Sequence, residues 1–436
     1  MPQIDTGDTA WLLISTALVM FMTPGLALFY GGLVRTKNVL GTIMQSFFAL
    51  ALVSVLWVLI GYTLAFGKDI GGFIGGLEFL GFQGVGQAPS DVYATTVPHV
   101  GFALYQMMFA IITPALITGA VAERMKFSAY VLFLGLWSIL VYSPVAHWVW
   151  GGGWLFELGA LDFAGGTVVH INAGVAALAA ILYMGKRRGY GKEAFVPHNV
   201  PMVITGAAIL WFGWFGFNAG SALAANGLAF SAFAATHIAT AAAILGWLIP
   251  EAIRHGKPTT IGAATGAVAG LVAITPAAGF VEPLGAIVIG LAAGVICWVA
   301  VDLKARLKYD DSLDVVGVHM VGGIVGALLV GVLASTAINE FSVAGLGQLG
   351  TQAIAVGVTL GFSFVATWII LWVVDKIVGL RVTEDDEVTG LDLSQHAEVG
   401  YSLVDRGGSV GSGTPGGSSA VTIREASSEV VKEGAR

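Results

Sequence analysis

Four histidines, His147, His170, His237 and His319, lie in apolar stretches of this 436-residue chain that carry no Asp, Glu, Lys or Arg. Imidazole can donate, accept, pass a proton on or stay neutral when buried. A lone histidine in such a stretch is usually a hydrogen bond to a neighbouring helix, and His237 and His147 are read that way. His170 and His319 differ because their surroundings repeat. Val169-His170 is followed by Gly174 and Val318-His319 by Gly323, with Asp162 and Asp314 on the N-terminal sides. Ala110-Ile-Ile-Thr113-Pro114 is likewise echoed by Ala273-Ile274-Thr275-Pro276. Ionisable residues inside a membrane are functional by default, so this pair is the leading candidate for proton chemistry.

The second candidate group is aromatic. Trp211, Phe212, Trp214, Phe215 and Phe217 run up to Asn218 and Ser221; Tyr105 and Phe109 stand one helical turn apart; Trp150 closes another stretch. An aromatic stripe is more often core than site. Here Ser221 and Trp150 fall on the same side as Tyr105 and Phe109. Ring faces attract a cation by ~0.5–2 kcal/mol, and a hydroxyl adds an acceptor. That combination suits a small ammonium-like ion better than sodium, which wants several hard oxygens, and it cannot suit an anion. Asp162 must hold or orient a cation, or cap the helix that carries His170; an Asn in its place is expected to keep the cap and lose the charge.

These residues need a membrane scaffold. Hydrophobic residues make up 56% of the chain and charged ones 11%, where a soluble domain carries about 25% charged, so an ordinary cytoplasmic enzyme is excluded. The 61 glycines follow no collagen-like period and suit close helix packing in lipid. A net charge of −7 gives no reason to expect nucleic acid, and the single Cys297 leaves no intrachain disulfide or cysteine-rich metal site. No cofactor or metal is expected. A helix crossing ~30 Å of hydrocarbon needs about 20 apolar residues. Eleven stretches qualify: 9–34, 39–66, 99–122, 127–149, 165–184, 201–218, 228–249, 259–275, 283–301, 315–334 and 351–374. No cleavable signal is expected before the first.

With the N-terminus outside, every Lys and Arg of the 20 except Lys68 falls on the inside, as the positive-inside rule requires. The expected fold is an all-α polytopic membrane protein of eleven transmembrane helices, N-out and C-in. Five spans is an odd number, so a repeat relating spans 1–5 to spans 6–10 must be inverted, with the eleventh helix added. Helix rise places His170 and His319 each ~8 Å inside opposite ends of their spans, about 15 Å apart; they meet only if both spans begin deeper than these limits. The chain divides into a transmembrane domain (1–375), a cytoplasmic regulatory tail (376–406) with the acidic run Glu384-Asp385-Asp386-Glu387, and a Gly/Ser-rich extension (407–436) read as disordered.

The stretches GAVAERMKFSAY, HWVWGGGWL, GALDFAGGTVVHINAG, GKEAFVPHNVPM, WFGWFGFNAGSALAAN and GVHMVGG, with GLRV and GLDLSQHAE in the tail, resemble the ammonium transporter (Amt/Mep/Rh) family, its bacterial Amt branch most closely. The resemblance covers about residues 5–401. It implies a homotrimer with one pore per subunit. It implies an ammonium-recruitment site at Trp150 and Ser221, a gate of Phe109 and Phe217, and a hydrogen-bonded histidine pair, His170 and His319. By the same resemblance Asp162 is the buried carboxylate shaping the site, Trp214 and Thr275 are further lining, and a cytoplasmic PII-type regulatory protein is the expected partner. Tyr105 stands where bacterial members often have Phe, and Ala397 replaces a common Gly.

The reading is an ammonium transporter of the cytoplasmic membrane, not an enzyme. Ammonium is recruited among Trp150, Tyr105 and Ser221 and deprotonated near Asp162. It crosses as ammonia past Phe109 and Phe217, with His170 and His319 lining the pore and relaying the proton; net uptake is electrogenic. One rival is a passive channel for neutral ammonia, against which the cation site at Trp150 and Ser221 argues. Another is a membrane-bound sensor signalling through its tail. A sodium-coupled amino-acid carrier fits less well, since no span carries a charge for a zwitterion.

Overall fold

The apolar stretches fold as helices because a backbone in hydrocarbon must satisfy its own N–H and C=O groups. In the computed structural model, which describes residues 3–401, ten helices among the described residues are long and apolar enough to cross a membrane. They are α1 (Thr6–Leu33), α2 (Thr36–Phe66), α3 (His99–Val121), α4 (Phe127–Glu157, broken at Gly151–Gly153), α5 (Gly166–Met184), α6 (Val200–Ala222), α7 (Gly227–His255), α9 (Pro283–Leu307), α10 (Val316–Leu333) and α11 (Leu346–Val378). Between α7 and α9 runs the shorter apolar α8 (Thr260–Ile274), at the place of the expected span 259–275. It is buried along nearly its whole length, so it packs against protein and need not match the bilayer thickness. Short helices α12 (Glu384–Thr389) and α13 (Leu391–His396) follow α11. The segment 67–98 adds two small antiparallel pairs: β1 (Asp69–Ile70) with β2 (Ile74–Gly75), and β3 (Pro89–Ser90) with β4 (Ala94–Pro98). The all-α expectation therefore holds for the membrane helices and not for this loop. The extension 407–436 lies outside the described residues.

Helix starts follow their caps. Asp5, Asn199, Asn226 and Thr259 each accept from a backbone N–H in the first turn of α1, α6, α7 and α8. Helix ends run past the apolar stretches: α7, expected over 228–249, continues to His255 and carries Glu251 and Arg254. Glu251 then accepts from the Thr259 amide and hydroxyl, fixing the turn into α8.

The charges of the connecting loops assemble into one buried network. Glu123 bridges Arg35 at 2.9 Å and Arg187 at 3.1 Å, and Asp310 bridges Arg187 at 2.7 Å and Arg124 at 3.0 Å. Four separate loops are tied at this arginine-rich end. The tail docks beside it. Lys126 N donates to Leu380 O, Arg188 N to Glu387 Oε2, Gly41 N to Asp392 Oδ1 and Leu391 N to Asn38 Oδ1. Ala397 ends α13 at φ 55°, the left-handed region where glycine fits without steric cost.

The crossing of α5 and α10 positions the core of the molecule. A Cβ on Gly174 would lie 2.3 Å from the backbone N of Met320, and one on Gly323 would lie 3.2 Å from Cβ of His170. Each helix thus receives in its glycine the other helix beside its histidine. Gly174→Val is expected to cost more than about 3 kcal/mol and to abolish recovery of folded protein from membranes. Gly357→Ala, where an added Cβ meets nothing within 4 Å, should elute from size-exclusion chromatography in detergent as the parent does.

Candidate functional site

Because the glycine crossing draws α5 and α10 together, His170 and His319 meet. One Nδ1 donates to the other at 3.3 Å, and the rings lie 5.3 Å apart and nearly parallel. The separation expected from span counting is wrong because both helices start late, inside the protein. His170 stands in the first turns of α5, after Gly166, and His319 in the first turn of α10, after Val316. Both lie in wide π-helical turns, as does Phe217 in α6; such turns widen a helix locally and recur at functional sites.

Four cavities line up through this pair. At one end a cavity of about 280 Å³ is lined by Tyr105, Phe109, Trp150 and Ser221, with Gln106 and Phe163 beside them. Its floor is Phe109 packed on Phe217, ring centres 4.2 Å apart. Beyond lies a slot of about 10 Å³ bounded by Phe217, Trp214, His170 and His319 with Leu, Ile, Val, Met and Phe side chains. Its lining contains no Asp, Glu, Lys or Arg. His319, Phe29 and Val268 are shared with a cavity of about 40 Å³, which in turn shares Leu313 and Asp314 with a vestibule of about 670 Å³ at the arginine-rich end.

The expected site residues sit along this line in different roles. Trp150 meets Phe109 edge-on at 5.9 Å and donates its indole N–H to the Asp162 carbonyl at 2.9 Å. Tyr105 lines the cavity with its ring. Its hydroxyl donates into α6, 2.8 Å from Gly216 O and 2.9 Å from Phe217 O, and lies 3.2 Å from Ser221 Oγ. The hydroxyl therefore fixes the wide turn that carries Phe217. Ser221 Oγ donates to Phe217 O at 2.8 Å, which leaves its oxygen free to accept. Trp214 stacks on His170 at 5.4 Å and donates to Thr275 Oγ1 at 2.9 Å. Thr275 was expected on the lining; it lies behind Trp214, fully buried, and holds the indole in place.

Asp162 does not line the cavity either. Its Oδ1 accepts from the amides of Gly165 and Gly166, and its Oδ2 from those of Thr167 and Val168, at 2.6–3.1 Å. These are the orphan N–H groups at the start of α5. Burial pushes the carboxyl above its ordinary range, and the four amides oppose that shift. The counterpart at α10 is Asp311, not Asp314. Asp311 Oδ2 accepts from Val316 N at 2.7 Å, and burial pushes its carboxyl up to about 6, with Lys304 pulling against it. Asp314 pairs with Lys304 instead. The signal was in the spacing: His170 follows Asp162 as His319 follows Asp311, by eight residues in each case.

Of the other histidines, His237 lies exposed against Trp211, ring centres 5.3 Å apart, and His147 is buried in α4 just before its break at Gly151. His99, passed over in the sequence, starts α3 and shares a hydrogen bond with the Tyr62 hydroxyl at 2.5 Å. Gln106 was also missed; it is the one amide in the apolar run of α3, with no hydrogen-bond partner on Oε1.

A narrow uncharged passage between two wider cavities, inside a bundle of membrane-length helices, defines a multi-pass membrane protein with a transport route. The chain belongs to the ammonium transporter family: it matches the Ammonium Transporter Family over residues 10–401. It is 52% identical to an ammonium transporter of Mycobacterium tuberculosis, over 93% of this chain and 92% of that one. It is 50% identical to one of Bacillus subtilis, over 91% and 99%. Among solved structures it resembles Saccharomyces cerevisiae Mep2 with a TM-score of 0.83 at 39% identity, covering 88% of this chain and 89% of that one.

The two-oxygen cap changes what Asp162→Asn does. Asn supplies one acceptor oxygen and turns an NH2 toward two N–H donors, so the cap is not kept as the sequence suggested. The variant is expected to lose about 2–4 kcal/mol, read as a lower midpoint of thermal unfolding in detergent. A parental midpoint would contradict the capping geometry.

Proposed function

We propose that this chain carries ammonium across the cytoplasmic membrane, taking it up as a cation and passing it through the slot as ammonia. The observation that carries this reading is the slot itself: aromatic at its mouth, narrow, and lined by no charged side chain. Ammonium, like a lysine head group, is mostly protonated near neutral pH. The rings of Trp150, Tyr105 and Phe109 and the oxygen of Ser221 suit the cation. Past Phe109 and Phe217 an intact cation would lose its hydration with no charge to compensate. The proton therefore leaves above the Phe109–Phe217 floor, and ammonia goes on alone. Asp162 contributes by keeping a negative charge close behind Trp150 and by holding the first turn of α5. The hydrogen-bonded His170–His319 pair supplies the ionisable groups of the slot lining and relays the proton released outside. Net uptake is electrogenic.

The same reading sets the protein N-out and C-in, with the Trp150 cavity outside and the arginine-rich vestibule inside. The placement of all but one of the Lys and Arg residues supports this. It takes α1–α5 and α6–α10 as an inverted repeat with α11 added. Support comes from the matched eight-residue spacing of Asp162–His170 and Asp311–His319 and from the reciprocal glycine contacts of α5 and α10. We further propose a homotrimer with one pore per subunit and a PII-type protein as cytoplasmic partner. The docking of α12 and α13 on the loops at the arginine-rich end supports a regulatory role for the tail.

Ammonium and potassium currents in proteoliposomes test the histidine pair. The parent should pass current with ammonium and none with potassium. His170→Glu and His319→Glu supply a compensating charge and should admit potassium. His170→Ala and His319→Ala break the proton path and should lower the ammonium current at least about tenfold. Four variants that discriminate and conduct as the parent does would refute the role given to the pair.

A further inference from the structure

The mechanism above makes no use of His147, although it lies three residues before Trp150 in the same helix. Its side chain has no exposed surface, and both ring nitrogens face acceptors. Nδ1 lies 2.9 Å from Ala65 O at the end of α2, and Nε2 lies 2.8 Å from Asp69 Oδ1 in β1. A neutral imidazole has one N–H and can serve only one of two acceptors. A carbonyl on one side and a carboxylate on the other call for two protons, and hence for an imidazolium. The place suits a cation, since His147 sits in the last turn before Gly151, at the negative end of the helix dipole. The His147 hydrogen bond holds the Asp69 carboxyl below its ordinary range, with partial desolvation acting against it.

Asp69 joins this contact to the rest of the loop. Its two oxygens also accept from Gly72 N at 2.8 and 3.0 Å, and Gly72 O accepts from Trp154 N at 3.0 Å. Phe73 O accepts the Trp148 indole N–H at 2.8 Å. On the helix side, the His147 carbonyl accepts from Gly151 N and Gly153 N, each at 3.0 Å. The β1–β2 turn therefore grips α4 on both sides of Trp150, through Trp148 and His147 before it and Trp154 after it. The Trp150 indole itself is tethered only from the other direction, by the Asp162 carbonyl.

We propose that His147 and Asp69 form an imidazolium–carboxylate clasp that positions Trp150, making His147 a positioning residue for the cation site. The proposal rests on the reading of Trp150, Tyr105 and Ser221 as that site. The clasp touches neither the slot nor the histidine pair, so it acts on capture of the cation and not on passage through the pore.

Concentration dependence of the ammonium current on solid-supported membranes separates the two effects. Asp69→Asn keeps an acceptor for Gly72 and removes the charge; His147→Gln keeps one donor and removes the cation. Both are expected to raise the apparent KM about threefold to fivefold with the maximal current unchanged, and Asp69→Glu, which keeps the charge, to stay nearer the parent. Parental KM in Asp69→Asn and His147→Gln would overturn the proposal. So would a reduced maximal current at unchanged KM, which is what a purely structural pair would give. Asp69 is 40% exposed, so Asp69→Asn decides the matter if His147→Gln does not fold. Independently of transport, 15N NMR of the ring of His147 in the parent at neutral pH should find both nitrogens protonated; one unprotonated nitrogen would overturn the ion pair. A parent without ammonium current would refute the transport reading, and with it the role of the clasp, while leaving the ring protonation as measured.

Discussion

The crossing of α5 and α10 is the constraint on which the site depends. Two helices whose glycines, Gly174 and Gly323, admit the partner backbone come close enough to face His170 onto His319. A side chain at Gly174 would run into the Met320 backbone and push the two helices apart. This packing places two imidazoles in an otherwise apolar slot without a single formal charge on its lining. Everything proposed about selectivity follows from that lack of charge. Burying an unpaired ion is far more expensive than burying a hydrogen-bonded neutral group.

The crossing brings the first turns of both helices together because each begins among buried residues. α5 and α10 start inside the protein, where their first amides have no water to turn to. Asp162 and Asp311 take that role at the two ends, and Gln352 of α11 secures the segment before α5 by bonding Leu161 on both its N–H and C=O sides. A late start frees room for the aromatic cavity on one side and the vestibule on the other. Asp162 thus acts twice: its carboxylate holds the turn that carries His170, and its carbonyl orients Trp150. The loops contribute at the opposite end, where Arg35, Arg187 and Arg124 share the carboxylates of Glu123 and Asp310 and tie four loops beside which the tail lies.

Much of this was legible in the sequence because hydrocarbon imposes few solutions. Uncharged stretches of span length had to be helices, and the repeated Val-His with a following Gly picked out both histidines. What was not legible depended on depth and direction. Helix rise measured from the edge of an apolar run placed His170 and His319 far apart, since nothing in the run marks where a buried helix begins. In the sequence Asp314 pairs with Asp162 as the aspartate adjacent to the span; the equal spacing that favours Asp311 carries meaning only once the caps are seen. Thr275 has the right neighbourhood but backs Trp214 instead of lining the slot, and Tyr105 lines the cavity with its ring while its hydroxyl goes to α6 carbonyls. The helix ends of α7 and α9 ran on because a helix does not stop where the hydrocarbon does.

The central claim is that the proton and the ammonia travel separately through the protein. Ammonium current measured on solid-supported membranes in H2O and in D2O, at matched concentrations, tests it most directly. Separate transfer of the proton predicts a current in D2O that falls by more than the change in solvent viscosity explains. A current that falls only in proportion to viscosity would mean that ammonium crosses intact, and the account of the uncharged slot would be wrong.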